Sequence, residues 1–227
     1  MKKRLFLAVN YSVTVTRRIA DATAKLRAAC DGAGIKVTWA PPQSLHITTK
    51  FLGWANGEVV DAVRDQMAAV LEGRKSFEIG ARGVGAYPDE RRPHVLWVGV
   101  HDGSGTLAAI AEATDAAMGD IGFPREKRAF SPHVTIGRVK DPAGGVHDIC
   151  APFRGADFGA SPVREVILYE SVMKSTGSEY LALFRLPLAG PAARAERQTR
   201  DVEEGSTNEE SNGGPTGESD RARRQLD

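Results

Sequence analysis

The pattern Ser-x-His-x-Thr occurs twice in this chain, as Ser44-Leu45-His46-Ile47-Thr48 and as Ser131-Pro132-His133-Val134-Thr135, with the histidines 87 positions apart. Each copy opens an apolar-alternating run, Leu45–Leu52 and His133–Lys140, of the kind that forms a β-strand. On a strand, residues i and i+2 share a face. His46 and Thr48 therefore project together, as do His133 and Thr135, while Ile47 and Val134 point the other way into a core. A duplicated strand of this kind constrains the fold: if the two copies are related by an approximate twofold axis, two imidazoles and two hydroxyls converge on one cleft.

The surrounding pattern supplies the rest of the architecture. Arg4–Asn10, Phe77–Val84, His94–Val100, Val163–Ser171 and Tyr180–Leu188 read as further strands. Thr16–Asp31 reads as a helix with Ile19, Ala22, Thr23 and Leu26 on one face, ended by Asp31-Gly32-Ala33-Gly34. Asn56 is an N-cap candidate for a second helix running from about Gly57 to Leu71, and Ser104 for a third running to about Gly119. Helices and strands alternate early and strands close the chain. The expected class is α+β with antiparallel or mixed sheet, not a doubly wound parallel sheet. Gly83-Val84-Gly85 lacks the third glycine and the following helix of a dinucleotide fingerprint.

Beyond Gly190 there is no aromatic residue and almost no large aliphatic one, so this stretch cannot bury enough apolar area to offset its ordering entropy. The expected organisation is one folded domain over 1–189 and a disordered acidic tail over 190–227. The domain carries a net charge of +4 and the tail −3. That split fits a polyanionic substrate and equally fits an ordinary soluble protein. The N-terminal apolar run Leu5–Val9 is too short for a secretory segment and reads as the first strand. No stretch approaches a membrane span. Cys30 and Cys150 have no neighbour at metal-ligand spacing, and a reducing, cytoplasmic setting is expected.

The convergent set suits phosphodiester chemistry. One imidazole can take a proton from water while the other donates one to a leaving oxygen, and an unperturbed value near 6.5 lets histidine serve either role. Threonine hydroxyls can hold non-bridging phosphate oxygens. A lone His-x-Thr usually marks no more than a strand, so from the pattern alone a catalytic pair and an ordinary pair of strands both stay open. Zinc is the rival use of paired histidines, but His94, His101 and His147 offer no evident spacing for a third ligand. Neither a metal nor another cofactor is expected.

Several segments together resemble the 2H phosphoesterase superfamily, specifically its RNA 2′,3′-cyclic phosphodiesterases, also described as 2′-5′ RNA ligases. They are Arg4-Leu5-Phe6-Leu7-Ala8, Trp39, His46-Ile47-Thr48-Thr49-Lys50-Phe51-Leu52-Gly53, Pro93-His94-Val95-Leu96-Trp97, Phe130-Ser131-Pro132-His133-Val134-Thr135-Ile136-Gly137-Arg138, Ile167-Leu168-Tyr169-Glu170-Ser171 and Gly177-Ser178-Glu179-Tyr180. The resemblance covers about residues 3–188. It implies a bilobal fold with pseudo-twofold-related lobes, helices outside and a central cleft. It also implies hydrolysis of a terminal 2′,3′-cyclic phosphate to a 2′-phosphomonoester. Carried over by motif position, His46 is the proton donor and His133 the proton acceptor, with Thr48 and Thr135 on the phosphate. The expected partner is an RNA end bearing the cyclic phosphate, such as a tRNA fragment, with no obligate protein partner and a monomeric state.

Arg138 matches the arginine that ends the second motif. Strict alternation puts it on the face opposite His133, so a phosphate role would need a bulge or strand end, and a purely structural role stays open. Phe130 is a candidate for stacking on a base, with rim or core packing as the simpler role. Thr49 stands where the family commonly has leucine, and Gly137 where it has a small alanine. The same motifs are compatible with ligation by the reverse reaction, with a small-molecule cyclic phosphodiesterase, and with a non-catalytic RNA-end binder.

Overall fold

The computed structural model describes residues 2–140, 145–174 and 177–190. Residues 191–227, which contain nearly all of the expected disordered tail, lie outside the described residues. The chain runs β1 (Lys2–Val9), α1 (Val13–Gly32), β2 (Val37–Trp39), β3 (Ile47–Asn56), α2 (Val59–Leu71), β4 (Phe77–Tyr87), β5 (Val95–His101), α3 (Thr106–Asp120), β6 (His133–Val139), α4 (His147–Cys150), β7 (Asp157–Val163), β8 (Glu165–Lys174) and β9 (Gly177–Pro187). The strands form one sheet in the order β7-β4-β5-β6-β3-β1-β8-β9, with β2 added beside β6. Neighbouring strands are antiparallel throughout, and a single parallel bridge joins Lys75 to Ala189 outside them.

The sheet falls into two lobes, β3-β1-β8-β9 and β6-β5-β4-β7, that meet where β3 pairs with β6 at Ile47 and Val134. Both residues are fully buried, with Leu5, Leu7 and Val9 of β1 in the same core. Two helices, α1 and α3, are exchanged between the lobes, while α2 stays with β3 and β9 of its own lobe. α1 follows β1 of the first lobe but packs against β7 of the second, where Ser161 Oγ accepts the Ser12 N–H at 2.8 Å and the Gly80 carbonyl accepts the Tyr11 hydroxyl at 2.7 Å. α3 follows β5 of the second lobe but packs against α2 and β3 of the first. There Lys50 Nζ, on a side chain only 2% exposed, donates to Asp115 Oδ1 and to the Pro124 carbonyl, each at 2.6 Å.

Several local features depart from the sequence reading. α1 begins three residues earlier than expected, because Ser12 rather than a later residue is its N-cap and accepts from the Val15 N–H. Asn56 ends β3 instead of capping α2, whose start has no side-chain cap. At α3 the main capping oxygen belongs to Asp102, whose carboxylate accepts from the N–H groups of Leu107 and Ala108, while Ser104 accepts only from Thr106. β7 was not expected as a strand, since Gly159 and Pro162 interrupt its pattern. It occupies a sheet edge, where a missing N–H is tolerated. No helix of the described residues is long and apolar enough to cross a membrane.

Candidate active site

His46 and His133 stand immediately before Ile47 and Val134, the residues that join the lobes. Antiparallel pairing at this point places the two His-x-Thr segments side by side with opposite direction. Since Ile47 and Val134 are buried in the core, His46, Thr48, His133 and Thr135 all project from the other face, and all four are half-buried. The structure thus brings the four motif residues together at the line between the lobes.

Each imidazole is held in the same way. His46 Nδ1 lies 2.7 Å from the Ser44 carbonyl oxygen, and His133 Nδ1 lies 2.8 Å from that of Ser131. A carbonyl only accepts, so each Nδ1 carries the proton and each Nε2 is left as the exchanging atom. The serine two positions before each histidine therefore acts through its backbone. The Ser131 hydroxyl has a separate partner, the Tyr87 hydroxyl at 2.9 Å. Burial holds His46 below the ordinary histidine value. Its bond to Ser44 pulls the value back up and the neighbouring His133 charge lowers it further.

Aromatic rings wall each histidine. Phe6 lies 4.7 Å from the His46 ring, centroid to centroid, and Tyr180 meets it edge-on at 5.0 Å. Tyr87 meets His133 edge-on at 5.2 Å and itself lies 5.3 Å from Trp97. The Trp97 ring covers Gly85, where an added Cβ would stand 2.4 Å from Cζ2. Of these four, Phe6, Trp97 and Tyr180 fell within the recognisable segments, but no local pattern tied them to the histidines. Tyr87 gave no signal, because its approach to His133 arises only from pairing of β4, β5 and β6. Phe130 is half-buried and packs against the core, and it is not among these rings.

Arg138 corrects the expectation from strict alternation. β6 pairs Thr135 with Trp97 and Gly137 with Leu96, so Ile136 is an extra residue with no opposite number on β5. This bulge resets the pleat, and Arg138, paired with Val95, returns to the face of Trp97, Thr135 and His133. Its side chain is exposed. The first copy repeats the device. Thr48 pairs with Ala8 and Lys50 with Leu7, leaving Thr49 as the extra residue, and Phe51, paired with Phe6, is returned to the face of His46. Phe51 and Arg138 are thus equivalent positions of the duplication, each five residues after its histidine.

Of the two family departures, one acquires a local explanation. Nothing in the structure explains Thr49, the buried bulge residue, whose Oγ1 has no hydrogen-bond partner among the described residues. Gly137 is paired with Trp39, and a Cβ there would come within 2.7 Å of Val37 Cγ1 and 3.1 Å of Trp39 Cε3. Val37 and Trp39 together fill the volume that an alanine methyl would need.

A cavity of about 760 Å³ lies in the second lobe, lined by Arg82, Gly85, Arg91, Trp97, His147 and Arg154 among others. None of the four motif residues lines it. Glu90 pairs with Arg154 there and lies 3.0 Å from His147 Nδ1. Among the described residues, no group of three or more histidines, cysteines or carboxylates is placed to hold a metal ion.

A duplicated antiparallel sheet carrying one His-x-Thr strand from each half is the fold of the two-histidine phosphoesterases. The chain belongs to the 2′-5′ RNA ligase superfamily, whose family model matches residues 9–172. It is similar to the RNA 2′,3′-cyclic phosphodiesterase of Archaeoglobus fulgidus, 31% identical over 78% of this chain and 96% of that protein. It is also similar to the RNA 2′,3′-cyclic phosphodiesterase of Methanothermobacter thermautotrophicus, 30% identical over 82% of this chain and all of that protein. Among solved structures, a Thermus thermophilus protein superposes with a TM-score of 0.70 at 26% identity, covering 82% of this chain and 98% of that one. Apo E. coli LigT shares the fold with a TM-score of 0.67 at 23% identity, over 82% and 98% of the two chains.

Proposed function

We propose that this protein hydrolyses a terminal 2′,3′-cyclic phosphate on RNA to a 2′-phosphomonoester, without a metal, through His46 and His133. The observation that carries the reading is the matched pair of Nδ1-to-carbonyl bonds, which leaves two Nε2 atoms of fixed tautomer on one face of the joined strands. The names of the relatives supply the substrate class.

In this mechanism His133 Nε2 takes a proton from water as the oxygen attacks phosphorus, opposite the 3′ oxygen. The bond from phosphorus to that oxygen breaks, and protonated His46 donates its Nε2 proton to it. The products are a 2′-phosphate and a 3′-hydroxyl, and solvent exchange restores the two protonation states. The Thr48 and Thr135 hydroxyls donate to the non-bridging oxygens, and Arg138, on the same face, offsets their charge. Because burial lowers the His46 value, His46 is neutral in the free protein near pH 7. The anionic cyclic phosphate draws a proton onto it on binding, which couples substrate capture to arming of the acid. The same groups run the reverse reaction, joining a cyclic phosphate to a 5′-hydroxyl, which accounts for the ligase name of the family. Both cysteines are free and buried, in keeping with a cytoplasmic setting. No obligate protein partner belongs to this reading.

The test is incubation of the purified protein, in EDTA, with a short RNA ending in a 2′,3′-cyclic phosphate. A 2′-phosphate product that is lost in both His46→Ala and His133→Ala is expected. A 3′-phosphate product, or loss of turnover in EDTA, would refute the mechanism.

A further inference from the structure

The sheet face that carries His46 does not end at the site. Register along β1 and β3 continues it outward: Arg4 pairs with Trp54 and Lys2 with Asn56. On β1, Lys2, Arg4, Phe6 and Ala8 alternate onto one face, so these outer pairs stand on the side of Phe6, Phe51 and His46. Exposure agrees. Phe51 is 56% and Trp54 66% exposed, Lys2 and Arg4 are exposed, and the alternate positions Lys3 and Ala55 are half-buried. On the neighbouring β8, Met173 extends the same stripe and is also 66% exposed.

Large apolar side chains left in water beside cations, in line with a site for a polyanion, need an occupant. The charge is one-sided. The carboxylates nearest in register, Glu170 and Glu179, stand on the opposite face, bound to Lys3 and Lys174. Aromatic platforms interleaved with cations are the physical recipe for single-stranded nucleic acid, since every base has a face to stack and every linkage a charge to neutralise.

We propose that Trp54, with Phe51, Arg4 and Lys2, forms a stacking platform for the nucleotides that precede the cyclic phosphate, so that the protein selects single-stranded RNA ends over cyclic mononucleotides. This rests on the activity proposed above. Trp54 stands eight positions after His46. At a strand rise of about 3.3 Å per residue, less the two bulges, the span is roughly 20–25 Å. That is beyond the reach of the terminal nucleotide seated at His46, so Trp54 meets only longer strands. The strand leaves the site from its 5′ side along the line of Phe51 and Trp54.

Two substrates separate the parts: a 2′,3′-cyclic mononucleotide, which engages the histidine pair alone, and an unstructured decamer with the same cyclic end. The wild type is expected to favour the decamer. Trp54→Ala is expected to raise its KM about tenfold, the scale of one lost base–aromatic contact. Trp54→Phe is expected to restore most of the preference. Arg4→Gln is expected to flatten the salt dependence of decamer binding by somewhat under one unit of log–log slope. Binding of a decamer ending in 2′-phosphate, followed by fluorescence anisotropy, is read in parallel and needs no turnover. Equal effects of Trp54→Ala on both substrates, or decamer binding indifferent to Trp54→Ala and Arg4→Gln, would overturn the platform. Absence of turnover on both substrates, with Trp54-dependent decamer binding retained, would refute the proposed activity and leave the platform standing.

Discussion

Replacing Lys50 by methionine tests how the helix of one half is fastened to the sheet of the other. The ammonium is buried two residues after Thr48 and bonds Asp115 Oδ1 and the Pro124 carbonyl at 2.6 Å each, with Glu126 a third, longer partner at 3.5 Å. Methionine fills much the same volume without the charge. Removing one partner of a buried ion pair typically costs about 3–5 kcal/mol, because the other charge is stranded. Here Asp115 keeps Arg125 Nε at 2.8 Å and the Glu126 N–H at 3.0 Å, so its charge is not left bare. The expected loss is therefore smaller, about 2–3 kcal/mol. With a urea m-value of about 2–3 kcal/mol/M, the unfolding midpoint should fall by roughly 1 M. Asp115→Ala strands the more deeply buried member, whose remaining carboxylate neighbour Glu126 is 55% exposed, and should cost more. The double change Lys50→Met with Asp115→Leu should recover much of the loss. A Lys50→Met midpoint within about 0.2 M of wild type, a difference of roughly 0.5 kcal/mol, or an Asp115→Ala protein more stable than Lys50→Met, would refute the reasoning.

Burial of His46 predicts a slope of stability with pH. Above about 6.5 both folded and unfolded chains hold this histidine neutral, and below it the unfolded chain takes the proton first, so stability falls as pH drops towards the lowered folded value. Thermal melts between pH 7.5 and 5 should show His46→Asn losing part of that fall; identical slopes would contradict it. In kinetics, kcat/KM should decline above an apparent value lower than about 6.5, since it reports the free protein's acid, and a decline that begins only above pH 8 would exclude His46 as donor. Gly85→Ala would drive a methyl into the Trp97 ring that backs Tyr87 and His133, so turnover should fall at least tenfold, with circular dichroism unchanged. Gly137→Ala should cost about 1–3 kcal/mol through overpacking, first against Val37 and then against Trp39, and Val37→Ala in the same chain should return most of it.

Much of this was legible in the sequence because the informative signals were periodic. Strict alternation around His46 and His133 revealed which face each motif residue takes, and the buried stripe of Ile19, Ala22, Thr23 and Leu26 identified α1. What failed was whatever a period cannot encode. A bulge adds one residue without changing composition, so alternation carried Arg138 to the wrong face while leaving Thr135 on the right one. Tyr87 reaches His133 from two strands away, a neighbour that only tertiary pairing creates. The capping of α3 by Asp102 was missed because the turn Gly103-Ser104-Gly105 brings back a carboxylate from before the nearer serine.

The exchange of α1 and α3 between the lobes bears on how such a chain folds. A half consisting of β1, α1 and β3 presents its helix to a surface it does not own, so neither half can bury its apolar stripe alone. The first lobe is moreover assembled from both ends of the chain, because β8 and β9 pair beyond β1. Folding is therefore expected to be a single cooperative event. A nick in the turn around Gly73 should yield two fragments that stay unstructured apart and regain structure only when mixed.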